Sequence, residues 1–205
     1  RIGLAIFGRR VMMSTHSATS SLKSAQAQHN RLLASLYKSA LRGGIFFIQY
    51  LNPGCYCGLD INESLIEAGK LEVASANLEH KQPLLIVDDQ FNASKAGIQF
   101  DFAIAQSVFT HLFTNHITRC LIETKKVLKP NGKLYATFFE APHAAHLQSI
   151  QHQPGNVSTH FDKDPFHQSF DEMQHLGQLA GFQVELVGDW GHPRAQRMLC
   201  FKNGD

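Results

Sequence analysis

From Leu41 onward, segments of helical period alternate with short apolar runs bounded by turn residues. That alternation is the signature of βαβ units around a mostly parallel sheet, and it excludes most other architectures. Residues 41–51 read as a helix with Ile45, Ile48 and Leu51 on one side, stopped by Asn52-Pro53-Gly54. Residues 55–61 read as a strand reaching Asp60; Asn62 is a good helix N-cap, and Leu65, Ile66 and Gly69 form a face able to approach a sheet closely. Residues 84–87 read as a buried strand closed by Asp88 and Asp89, and residues 100–108 as another, entered through Asp101.

Ile117, Cys120, Leu121, Val127 and Leu128 recur at helical spacing. Lys125, Lys126 and Lys129 are expected in the last turn of that helix, where cations suit the negative end of its dipole. Pro130-Asn131-Gly132 then ends it and starts a strand over 133–139. Residues 141–166 are polar and rich in His, Gln, Pro and Gly, as in a long functional loop or lid. Ser169-Phe170-Asp171-Glu172 is a capping box; Met173, Leu176 and Ala180 give the buried face of its helix, which Gly181 closes. Residues 182–187 and 197–201 read as strands whose connection is too short for a crossover helix, so they are antiparallel neighbours.

Hydrophobic residues at 43% and charged residues at 18% exclude wholesale disorder. The net charge of +2 conceals an asymmetry: residues 1–59 hold seven Lys/Arg and no Asp or Glu, leaving 12 basic and 17 acidic residues beyond them. Three readings compete for the acid-free stretch: an organelle transit peptide, a basic arm for nucleic acid or membrane, and a segment not original to the domain. Wholly apolar runs such as 45–48 are far too short to span a bilayer. Four cysteines at 55, 57, 120 and 200 form neither a disulfide framework nor a zinc pattern, and reduced thiols suit a cytoplasmic setting. His143, His146, His152 and His160 lack acidic or Cys partners at a recognised spacing, so no metal site is expected.

Ligands of open α/β sheets bind beyond the carboxyl ends of the strands. The strand-end residues here are Asp60, Asp88, Asp89, Gln106, Ser107 and Glu140. Carboxylates in that series suit ribose hydroxyls and an adenine amine, and no basic residue among them faces a triphosphate. Gly58-Leu59-Asp60-Ile61-Asn62, then residues 100–112 (FDFAIAQSVFTHL), then Val127-Leu128-Lys129-Pro130-Asn131-Gly132-Lys133-Leu134 together resemble class I S-adenosylmethionine-dependent methyltransferases of the small-molecule type. The resemblance covers about residues 41–203 and extends to Gly188-Asp189-Trp190-Gly191-His192-Pro193.

The resemblance implies a Rossmann-like three-layer α/β fold, mostly parallel, with an antiparallel last strand. It implies S-adenosylmethionine as cofactor, a small-molecule methyl acceptor, and neither nucleic acid nor membrane as partner. Asp60 would hold the ribose, with Ile61 beside it and Gly43 at the preceding helix start. Asp88 or Asp89 would lie near the adenine, and Gln106 and Ser107 at the methionine end. Phe109 and Glu140 would line the substrate entrance, with His111 and His143 as acceptor-side bases where the acceptor has a proton to lose.

The family opens its cofactor site with an apolar strand and a G-x-G loop, whereas this chain contains no G-x-G anywhere. The break falls at about residue 40, inside the acid-free stretch. We therefore divide the chain into an atypical basic segment, 1–40, and a methyltransferase-like domain, 41–205, with the first strand absent or altered. Residues 2–7 are an alternative source of that strand. Weakened cofactor binding is expected, and a non-catalytic methyltransferase-like protein is the alternative function. A nicotinamide dehydrogenase would need G-x-G-x-x-G and is excluded.

Overall fold

A computed structural model describes residues 3–4, 32–35 and 40–204. The strands are β1 (Gly3–Leu4), β2 (Leu32–Ser35), β3 (Tyr56–Asp60), β4 (Leu84–Val87), β5 (Phe100–Ala105), β6 (Leu128–Phe138), β7 (Ile150–His152), β8 (Val157–Thr159), β9 (Phe182–Gly188) and β10 (Arg197–Asn203). The helices are α1 (Ala40–Tyr50), α2 (Glu63–Ser75), α3 (Thr114–Val127) and α4 (Phe170–Leu179).

The main sheet runs β4-β3-β2-β5-β6-β10-β9, and its first five strands pair in parallel. β10 is antiparallel to both β6 and β9, the closing arrangement that the short connection between the last two strands predicts. Parallel strands need crossover segments; α1, α2 and α3 lie in those after β2, β3 and β5, and a short 3-10 turn at Ala93–Ala96 in that after β4.

The central place between β3 and β5 is filled by β2, which pairs with Tyr56–Leu59 on one side and with Phe102 and Ala103 on the other. The first strand is thus present in altered form, four residues long. Of the alternative source, residues 2–7, only Gly3–Leu4 are described, and they do not fill the place: β1 runs antiparallel to the end of β3, Gly3 opposite Asp60. Most of the acid-free stretch lies outside the described residues, including residues 36–39 between β2 and α1.

Five fully buried aromatic rings, Tyr56, Phe100, Phe109, Phe138 and Phe201, anchor one continuous apolar core. All five residues of β3 are buried, as befits a strand flanked on both sides. β4 departs from the sequence reading of a buried strand: Leu84 and Val87 are 39% and 43% exposed, because β4 pairs with β3 alone among the described residues.

α2 begins as read, with the Asn62 side chain accepting from the Ser64 amide at 3.0 Å. α3 buries Ile117, Cys120, Leu121, Thr124 and Val127. Lys129 falls beyond this helix, in β6, and pairs with Asp101 at 2.9 Å; tertiary pairing with an acid at the start of β5 replaces the dipole role. The capping box of α4 is complete, Ser169 and Glu172 each accepting the other's amide. Gly177 lets α4 sit directly on the sheet, since a Cβ there would meet Val184 Cγ2 at 2.2 Å and Phe201 at 2.9 Å.

The segment read as a lid is more ordered than a loop: it holds a short 3-10 turn at His143–Ala145 and the β7–β8 hairpin. Its underside carries a buried polar chain. The Thr159 hydroxyl lies 2.8 Å from both His152 Nε2 and His167 Nδ1, and His167 Nε2 lies 2.8 Å from the His146 carbonyl. Because a carbonyl only accepts, His167 Nε2 donates; in neutral His167 Nδ1 then accepts from Thr159, whose oxygen accepts from His152. Burial, reinforced by the electrostatic influence of the neighbouring His167, pushes the pKa of His152 down.

Candidate active site at the carboxyl edge of the sheet

Asp60 ends β3 and is 1% exposed. Its Oδ1 accepts the Asn62 amide at 2.8 Å, while Oδ2 is buried with no hydrogen-bond partner among the described residues. Burial pushes the carboxyl up to about pKa 6, because an ion in a dry pocket loses hydration that the Asn62 and Ile61 amides only partly replace. A buried acceptor with an open lone pair at a strand end is a receptor for hydroxyl donors. Ile61, next in sequence, is 38% exposed and apolar.

Asp88 sits beside Asp60, its amide donating to the Asp60 carbonyl at 3.0 Å. It is already satisfied: Oδ1 accepts the amides of Gln90 and Asn92, each at 2.8 Å, and Oδ2 accepts Lys95 at 2.5 Å. Burial alone would raise its pKa, but the Lys95 bond and the two amides outweigh burial and lower it. Asp88 therefore shapes its own loop, and the exposed Asp89 is the acid of the pair open to a ligand.

Gln106 is exposed past the end of β5, and Ser107 has a left-handed backbone, φ 55°. The Ser107 amide donates to Thr137 Oγ1 at 2.7 Å, and its hydroxyl donates to Gln196 Oε1 at 3.0 Å. Phe109 turns inward, fully buried and edge-on to Phe201, so it packs the core where a substrate contact was expected. Gly43 lies in the first turn of α1, its surroundings outside the described residues.

Glu140 follows β6 and pairs with Arg197 at 2.8 Å, at the start of β10. The pair lines an open cleft of about 510 Å³ with Ala141, Pro142, His143, Ser169, Phe170 and Asp171. Glu140 and His143 are thus brought together. His111 stands elsewhere, on a 3-10 turn after β5, with Nδ1 bonded to Asp164 of the insertion. Among the described residues no group of three or more His, Cys, Asp or Glu side chains is arranged to hold a metal, and no helix is long and apolar enough to cross a membrane.

Sequence reasoning missed Thr137, Asp164, Gln196 and Arg197. Their partners lie 30 to 89 residues away along the chain, and no local signal marks such pairs.

Residues 42–134 match a family model described as a methyltransferase domain. The fold agrees with that match, being similar to those of solved S-adenosylmethionine-dependent methyltransferases. More particularly, the fold is similar to the S-adenosylmethionine-dependent methyltransferase SibL (16% identity, TM-score 0.57, 82% of this chain and 48% of that one). It is also similar to a putative O-methyltransferase of Nostoc punctiforme PCC 73102 (17%, 0.56, 80% and 49%). A third is the magnesium protoporphyrin IX methyltransferase of Synechocystis PCC 6803 with bound SAM (14%, 0.54, 78% and 64%). The chain spans between about half and two thirds of these proteins' lengths.

Proposed function

We propose that this chain transfers a methyl group from S-adenosylmethionine to a small-molecule acceptor. The carrying observation is the buried, unpartnered Oδ2 of Asp60 at the carboxyl end of β3, an acceptor that fits the hydroxyls of the cofactor ribose. Ile61 then flanks the adenine with apolar surface, Asp89 faces its amine, and the Gln106–Ser107 turn borders the methionine end. Bound there, the cofactor supplies an already activated methyl group.

The protein's own contribution is to align and to exclude water. The cleft between Glu140, His143 and Arg197 holds the acceptor, and the segment over residues 141–166 covers it. For an acceptor that must lose a proton, His143 is the base within the cleft; His111, oriented by Asp164, is the other candidate. We read residues 41–205 as the body of the domain, residues 1–40 as an atypical segment whose β2 completes the domain's sheet, and the setting as cytoplasmic.

Calorimetric titration with S-adenosylmethionine and S-adenosylhomocysteine tests the reading. Binding to the native chain and not to Asp60→Ala supports it; no binding to the native chain at millimolar ligand refutes it. The missing G-x-G favours the second reading, a cofactor-binding protein without catalysis, which predicts binding but no methyl transfer to any acceptor.

A further inference from the structure

Three neighbouring strands meet at the methionine end of the proposed site through one chain of side chains. Ser107 follows β5, Thr137 lies near the end of β6, and Gln196 immediately precedes β10, and these strands are consecutive in the sheet. Thr137 is fully buried and Gln196 is 2% exposed. Gln196 Oε1 accepts from the Thr137 hydroxyl at 2.7 Å and from the Ser107 hydroxyl at 3.0 Å, while Thr137 Oγ1 takes the Ser107 amide at 2.7 Å. Ser107 is thereby held at both its amide and its hydroxyl.

What is held is costly. A serine at φ 55° occupies the left-handed region that residues with a Cβ rarely adopt, and such conformations persist where the surroundings over-determine them. The next residue toward the strand is Gln106, exposed at the site. Relaxation of Ser107 would therefore redirect Gln106 and the amides of the turn.

We propose that Gln196, acting through Thr137 and Ser107, is a positioning residue that fixes the strand-end turn bordering the methionine end of the cofactor. The inference rests on the cofactor reading above. It assigns a role to the segment between β9 and β10, whose Gln196 side chain reaches Ser107 and Thr137. Trp190 Nε1 donates to the Gln196 main-chain carbonyl at 3.0 Å. That bond survives replacement of the Gln196 side chain, so the emission of the single Trp190 serves as a check that the segment stays folded.

The test compares Gln196→Leu with the double variant Gln196→Leu/Ser107→Gly, using S-adenosylhomocysteine affinity by calorimetry and amide hydrogen exchange at residue 107. Gln196→Leu is expected to weaken the affinity about tenfold, equivalent to ~1.4 kcal/mol, and to speed exchange at residue 107, with Trp190 emission unchanged. The double variant is expected to recover affinity to within about threefold, because glycine holds a left-handed φ without support. Affinity and exchange in Gln196→Leu equal to the native chain would overturn the proposal, as would failure of the glycine rescue with Trp190 emission intact. If the native chain binds no S-adenosylhomocysteine, the cofactor reading falls by itself. Exchange then decides: faster exchange at residue 107 in Gln196→Leu retains the brace, and unchanged exchange removes it.

Discussion

Replacing Asp60 by asparagine should make the ligand-free protein more stable at neutral pH while costing it the ribose. The carboxyl stands at about pKa 6 in place of its ordinary 3.8. A folded-state acid with a raised pKa favours the folded form only while it keeps its proton; stability is lost as pH rises from the unfolded value through the folded one. At 1.36 kcal/mol for each pKa unit, the cost to the native chain is ~3 kcal/mol at pH 7 and ~1.6 kcal/mol at pH 5. The Asp60→Asn side chain would escape it, keep an oxygen for the Asn62 amide, and leave one buried carboxamide NH2 unpaired at a desolvation cost of about 1–2 kcal/mol.

The variant is therefore expected to gain about 1–2 kcal/mol at pH 7 and about nothing at pH 5. Urea unfolding followed by circular dichroism at the two pH values measures the difference. Hydroxyl bonds to a charged acceptor contribute about 1.5–3 kcal/mol, so calorimetry should show cofactor affinity down by roughly 10- to 100-fold. An Asp60→Asn protein whose stability offset is the same at pH 5 and pH 7 would refute the argument, because the offset would then not come from an ionised, buried carboxyl.

Ser169→Ala removes the side-chain acceptor of the capping box and should cost ~1 kcal/mol in urea unfolding. Gly177→Ala drives a methyl into Val184 and Phe201 and should cost about 1–3 kcal/mol, lowering Tm in a calorimetric scan. The fold holds His152 neutral, with its pKa below the ordinary 6.5, so its contribution is full above that pH and falls as the solution is acidified through the folded pKa. Limited proteolysis within residues 139–169 should accelerate at pH 5.5 relative to 7.5, and Thr159→Val, which cuts the chain between His152 and His167, should give the fast pattern at both. Arg197→Ala unpairs Glu140 in the cleft and should impair methyl transfer far more than cofactor affinity, separable as loss of turnover without loss of calorimetric binding.

Much of the architecture is legible along the chain because its determinants are local. Asn62 and Ser169 announce helix starts with their own side chains, Gly181 stops α4 with φ 81°, and the run Ile117, Cys120, Leu121 repeats the helix period. Lys129 and β4 show where local reading stops. A lysine three residues after Lys126 looks helical, yet Asp101 holds it in a strand; the apolar Leu84–Val87 looks buried until the sheet leaves it a single partner among the described residues.

The acids at the strand ends divide the same way. Sequence places Asp60, Asp88 and Asp89 at the carboxyl edge, since strand period and turn residues fix where a strand ends. Which of them is open to a ligand depends on Lys95 and the amides of residues 90 and 92 closing on Asp88, and on burial leaving one oxygen of Asp60 without a donor. By itself the sequence determined a parallel sheet with an antiparallel close and a row of carboxylates along one edge. Only the tertiary structure decided that β2 stands in the central place, that Phe109 belongs to the core, and that Gln196 reaches Ser107. Propensity and capping act over a few residues, while burial and hydrogen-bond satisfaction are set by chain segments brought together from far apart.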